Sequence, residues 1–152
     1  MDEKEFKSAL SAFATGVAVV TANGQDGPVG ITINSFASLS LDPPLVLWSI
    51  DKASRRCQAY CDAQFSAIHF LAADQRDTAK NFTKTGVELN DAAVNAQKVP
   101  IVENCLTRLD CESHAVLEGG DHFILISRVL NAEVGQGTPL LFYKAAFKEL
   151  GA

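Results

Sequence analysis

The sequence predicts a mainly β protein: an antiparallel barrel with a few covering α-helices. Three observations carry that expectation. Apolar, β-branched runs outnumber helical patterns by roughly two to one, and turn residues rather than long crossovers join most of them. Of 152 residues, 47% are hydrophobic and 20% charged, ordinary values for a globular chain with a core of its own. A doubly wound α/β sheet would need a helix after each strand, and the connections are too short for that.

The elements follow in order. Asp2–Phe13 reads as an amphipathic helix, because Phe6, Ala9, Leu10 and Phe13 recur on one stripe and Asp2 with Glu5 forms a capping-box pattern. Val17–Ala22 is an apolar strand, and Asn23–Pro28 is turn chemistry throughout. Val29–Ser35 alternates, with Val29, Ile31 and Ile33 on one face and Gly30, Thr32 and Asn34 on the other. Phe36–Leu41 continues extended until Asp42-Pro43-Pro44 breaks it, and Leu45–Ile50 is a buried strand. Ser54–Cys61 is expected to be a helix with Ser54 as N-cap, Phe65–Leu71 a strand and Asp74–Phe82 a second helix. Thr83–Lys98, polar and without period, reads as a loop or lid-like insertion. Leu106–Glu118 and Phe123–Glu133 read as long strands joined across Gly119-Gly120-Asp121, and Leu140–Phe147 as one closing strand.

Composition narrows the function classes. The formal charge of −5 gives no global attraction to a phosphate backbone, so no nucleic-acid partner is expected. No run approaches the ~18–20 apolar residues of a membrane span. The opening residues MDEKEF lack the basic-then-apolar order of a signal peptide, so a cytoplasmic protein of one domain, residues 1–152, is expected. Cys57 and Cys61, like Cys105 and Cys111, are not at zinc-knuckle spacing, which leaves four reduced, mostly buried thiols and no metal.

Three stretches could carry chemistry. Gly24, Gly27 and Gly30 do not match G-x-G-x-x-G and precede no helix, so they read as a glycine-rich turn rather than a dinucleotide site. Thr32, Asn34 and Ser35, followed by Ser38 and Ser40, either decorate an edge strand or line a groove. Their mixed donors and acceptors would suit a flat heterocycle. Asp51-Lys52-Ala53-Ser54-Arg55-Arg56 is the one locally basic run. It is either a solvated helix start or a phosphate site, where hydrogen bonds to the charged group are worth about 1.5–3 kcal/mol each. His122, in a Gly120-Asp121-His122 turn, is either merely exposed or placed against a bound ring.

These segments together resemble the flavin reductase-like family of short-chain NAD(P)H:flavin oxidoreductases. The likeness starts at Phe13-Ala14-Thr15-Gly16-Val17 and is most specific in Thr32-Ile33-Asn34-Ser35-Phe36, Ser38, Ser40 and Pro43-Pro44-Leu45. It returns at Ala73-Asp74-Gln75, Gly120-Asp121-His122 and Pro139–Tyr143. The resemblance implies an FMN-binding split β-barrel, a homodimer with flavin at its interface, and hydride transfer from NADH or NADPH to FMN or FAD. The reduced flavin would then pass to a partner monooxygenase. A non-enzymatic FMN-binding electron carrier is the alternative it leaves open. By the same resemblance Thr32, Asn34, Ser35, Ser49 and Asp51 contact the flavin ring and ribityl chain. Ser54, Arg55 and Arg56 hold its phosphate, Lys80 and Phe82 approach it, and His122 serves the nicotinamide. The chain departs from the family's S-x-T phosphate pattern, since Arg56 stands at its last position. It also places Ile126-Ser127-Arg128 where the family commonly has a glycine, and has no aromatic residue between Phe82 and Phe123.

Overall fold

In the chain's first helix, α1 (Glu3–Ser11), Asp2 and Glu5 cap each other: Glu5 N donates to Asp2 Oδ1 at 2.7 Å and Asp2 N to Glu5 Oε2 at 3.0 Å. The computed structural model describes residues 1–151. It adds the strands β1 (Thr15–Gly16), β2 (Ala18–Gly24), β3 (Gly27–Ile33), β4 (Ala37–Leu41), β5 (Pro44–Asp51) and β6 (Phe65–Phe70), with helix α2 (Cys57–Asp62) before β6. Helix α3 (Arg76–Asn81) and the strands β7 (Thr107–Gly119), β8 (His122–Val134), β9 (Leu140–Tyr143) and β10 (Ala146–Glu149) complete it. Seven strands pair in the order β3-β2-β6-β7-β8-β5-β4, every pair antiparallel, and β1-β9-β10 form a small second sheet.

One apolar cluster takes side chains from six of those seven strands, so the large sheet curls around it as a barrel. Ala18, Val20 and Ala22 of β2 enter it with Ile33, Val46, Trp48, Ile50, Ile68 and Leu125. α2 plugs one side. Tyr60 stacks edge-on against Trp48, with centroids 5.1 Å apart, and its hydroxyl donates to Val20 O at 2.6 Å. Val17 and Val19 point the other way, into a second cluster with Leu71, Ala79, Phe82, Leu89, Val102 and Leu140. β2 is therefore buried from Ala18 to Ala22 because both its faces are covered.

Several boundaries differ from the sequence expectation. The β2–β3 hairpin runs out to the Gly24–Gly27 pair, so Gln25 and Asp26 alone form its turn. The helix expected from Ser54 starts only at Cys57. Ser54 sits in a tight turn instead, its N–H on Asp51 O and its hydroxyl accepting from Arg56 N at 3.2 Å. The second helix begins as a 3-10 turn over Ala73–Gln75. The single closing strand is a hairpin, β9–β10, turned by Lys144 and Ala145 at φ 47° and 59°. All four cysteines are free, but only Cys57 and Cys111 are buried.

The 83–98 segment is irregular, as expected, but it is pinned rather than lid-like. Leu89 is buried and Asn23 Nδ2 donates to Lys98 O, and just past the segment Thr21 Oγ1 donates to Pro100 O. Asn95 Nδ2 donates to the buried Asp110 at 2.8 Å while its Oδ1 accepts from Gln97 N and Val99 N. Burial works against the Asp110 charge. Arg108, Asn95 and Asn131 donate to it and hold its carboxyl below the usual range.

His69 fastens the residues just after that segment from beneath. Its ring is fully buried, with Nδ1 against Val19 O at 2.9 Å and Nε2 accepting from Val102 N at 3.1 Å, an arrangement only the neutral ring can make. Burial pulls its pKa from 6.5 down to about 4. Its stabilising contribution is full above pH 6.5 and is lost as pH falls towards 4, in total about 3 kcal/mol. Urea unfolding measured between pH 7 and 4.5 should show this decline, and a flat profile would contradict a buried neutral imidazole.

Candidate functional site

β3 and β4 are consecutive in the chain yet lie at opposite edges of the large sheet, so the barrel stays open between them. Asn34, Ser35 and Phe36 span the opening. Along the free edge of β3 the main-chain groups that face away from β2 recur at every second residue, here Gly30 and Thr32, and the same spacing reaches Asn34 just past the strand's end. Gly30 O accepts from Arg56 Nη1 at 2.9 Å, and Thr32 N donates to Phe82 O at 3.1 Å. Asn34 has no hydrogen-bond partner among the described residues, main chain or side chain.

A cavity lies on each side of Asn34. The larger, about 340 Å³, is walled by Phe13, Phe36, Phe70, Leu106 and Leu140, and Thr15 lines it with a buried hydroxyl that has no partner. The smaller, about 160 Å³, lies between Thr32, Thr83, Phe142 and Phe147. Such apolar walls with a few convergent polar groups are what a flat ring with polar edges requires.

The other expected residues fall into three groups. Ser35 ties the opening to β5, donating to Ser49 O and accepting from Ser49 N, both at 3.1 Å, while Phe36 packs edge-on against Phe70. Ser49 and Asp51 occupy the outward face of β5, since Val46, Trp48 and Ile50 fill the inward one. Asp51 pairs across the ladder with His122. The Asp121 carboxylate sits 2.7 Å from His122 Nδ1, a bond that holds the acid below its usual range and makes Nδ1 the donor, leaving Nε2 open.

Thr32, Phe82 and Arg56 form a single knot. Thr32 Oγ1 donates to Ala79 O at 2.6 Å. Arg56 Nη1 reaches Gly30 O and Phe82 O at 2.9 Å and Lys84 O at 3.1 Å, and Nη2 reaches Thr83 O at 3.4 Å. The Phe82 ring is buried against Gly30, where a Cβ would meet it at 2.5 Å, so only glycine fits there. Arg55 and Lys80 are exposed and Ser54 half-buried. α2 is too short, and starts too late, to bring a helix terminus to Ser54. Among the cavity walls, Phe13, Thr83, Phe142 and Phe147 were not legible as site residues, because they are apolar or isolated in sequence and meet only in the fold.

Residues 10–151 match the flavin reductase like domain. The chain belongs to that family. It is 45% identical over 148 residues to the FMN reductase (NADH) SmoA of Agrobacterium fabrum, covering 96% of this chain and 85% of that protein. The reductase subunit HsaB of a flavin-dependent monooxygenase from Rhodococcus jostii is 32% identical over 154 residues, 97% and 77% of the two chains. Among solved structures, the NADH:FAD oxidoreductase of Streptomyces globisporus, in complex with NAD and FAD fragments, superposes with a TM-score of 0.92 at 31% identity, covering 99% of this chain and 93% of that one. Membership in the flavin reductase family accounts for the order of segments from Phe13 to Tyr143 that the sequence resemblance rests on.

Thr32 and Asn34, neighbours on one edge, should respond oppositely to substitution. Thr32→Val strands the buried Ala79 carbonyl and should cost about 1–3 kcal/mol in chemical unfolding. Asn34→Ala removes no protein hydrogen bond and should stay within about 0.5 kcal/mol of wild type.

Proposed function

We propose that this protein is an NAD(P)H-dependent flavin reductase that takes FMN or FAD at the barrel opening and supplies reduced flavin to a partner monooxygenase. The unpaired edge at Asn34, set between two apolar-walled cavities, carries the reading. When bound together, nicotinamide and flavin supply the hydride donor and acceptor, and the chain needs no nucleophile of its own.

The residues fit a flavin. Asn34 offers both senses of hydrogen bond to a ring edge, and Thr15 adds an unpartnered hydroxyl. Ser35 acts through Ser49, fixing the opening, and Ser49 and Asp51 line the outer face of β5. Ser54 and Arg55 would hold the phosphate, Arg55 as an exposed charge, with Lys80 approaching the flavin. Thr32 and Phe82 contribute by holding the edge in shape. His122, oriented by Asp121, presents Nε2 for the nicotinamide. Holding two flat rings in contact is the main service such a site performs.

A homodimer completes the reading. The outward face of β5, β7 and β8 that carries Ser49, Asp51 and His122 continues into Leu45, Leu47, Ile124, Ile126 and Leu117, an apolar patch suited to a second copy. Free thiols and a nicotinamide donor suit the cytoplasm.

Anaerobic mixing with FMN and either NADH or NADPH should bleach the oxidised-flavin absorbance. If neither bleaches it, the reductase reading fails and a flavin-binding electron carrier takes its place. Leu117→Asp should shift sedimentation from dimer to monomer, and an unchanged wild-type monomer would remove the dimer.

A further inference from the structure

We propose that Arg56 is a positioning residue for the flavin site and not a ligand of the flavin phosphate; the proposal rests on the flavin-binding reading above. Its guanidinium is committed within the chain. Nη1 is shared among Gly30 O, Phe82 O and Lys84 O, and Nη2 lies 3.4 Å from Thr83 O. Of the donors left over, Nε is buried without a partner and only the second Nη2 N–H remains to meet a ligand.

The carbonyls it gathers belong to the two walls of the opening. Gly30 lies on the free edge of β3, and Phe82 O is the acceptor for Thr32 N on that same edge. Thr83, held by Nη2, faces Thr32 and Asn34 across the smaller cavity. One planar cation therefore sets the spacing between the β3 edge and the turn after α3, and with it the place of Asn34 two residues further on. A compact ammonium carries the same charge but cannot fork to four carbonyls. Charge and geometry are thereby separable by substitution.

The test measures dissociation constants of purified wild type, Arg56→Lys and Arg56→Ala for FMN and for riboflavin, which has the same ring and no phosphate, by flavin-fluorescence titration. Circular dichroism checks that each variant is folded. A positioning role predicts that Arg56→Lys weakens both flavins, roughly tenfold, with the FMN-to-riboflavin ratio within about twofold of wild type. Arg56→Ala should weaken both further. If Arg56→Lys restores FMN binding to the wild-type value, or if Arg56→Ala loses FMN while riboflavin is unchanged, Arg56 is a phosphate ligand and the proposal is overturned. Unchanged affinity for both flavins in both variants overturns it as well. Should Arg56→Ala not fold, the Arg56→Lys ratio alone decides. Wild type that binds neither flavin refutes the flavin reading itself, a result seen before any variant is compared.

Discussion

The unclosed edge between β3 and β4 governs this molecule. An open strand edge is a row of polar groups that must be paired, covered or put to use. Along β3 all three happen in succession: Arg56 covers Gly30, the Phe82 carbonyl pairs Thr32, and Asn34 is left open. The turn after α3 is thus not a passive connection. Its carbonyls, the arginine before α2 and the missing side chain at Gly30 are three parts of one joint, and Thr32 and Thr83, which it holds, wall the smaller cavity beside Asn34.

A second constraint follows from β2. A strand buried on both faces cannot stand at a surface, so the barrel needs an outer layer. α3, the 83–102 segment and the small sheet supply it. That layer is long and mostly irregular, and it carries polar backbone into the interior. The compensation is specific: His69 for Val102 N, Thr21 for Pro100 O, and Asn95 for two amides of its own turn and for Asp110. Buried polar groups of this kind hold a single arrangement when every member is satisfied.

The sequence was most informative where local chemistry is self-contained. The capping box at Asp2 and Glu5, the long β7–β8 pair and the run from Thr32 through Leu45 could be read directly, and with the run came the family. It was least informative where the partner of a side chain is main chain. Arg56 looks like a free base in a basic run, because nothing in the letters shows four carbonyls converging on it. The β9–β10 turn was invisible for a related reason: Lys144 and Ala145 adopt positive φ without the glycine or asparagine that usually announces it. Ser54 was a plausible cap, but a turn closed by Asp51 O took its place.

The small sheet joins residues from opposite ends of the polypeptide, with β1 paired to β9. Thr15 and Gly16 meet Leu140 across the larger cavity, and Phe142 and Phe147 wall the smaller one. During synthesis on the ribosome, the first residues of both walls are made more than a hundred positions before their counterparts emerge. The barrel strands can pair as they appear, but the larger cavity lacks a wall until translation has passed Leu140, and the smaller until it has passed Phe147. A nascent chain that stops short of Leu140 therefore lacks a wall of both cavities, however many of the barrel strands have already paired.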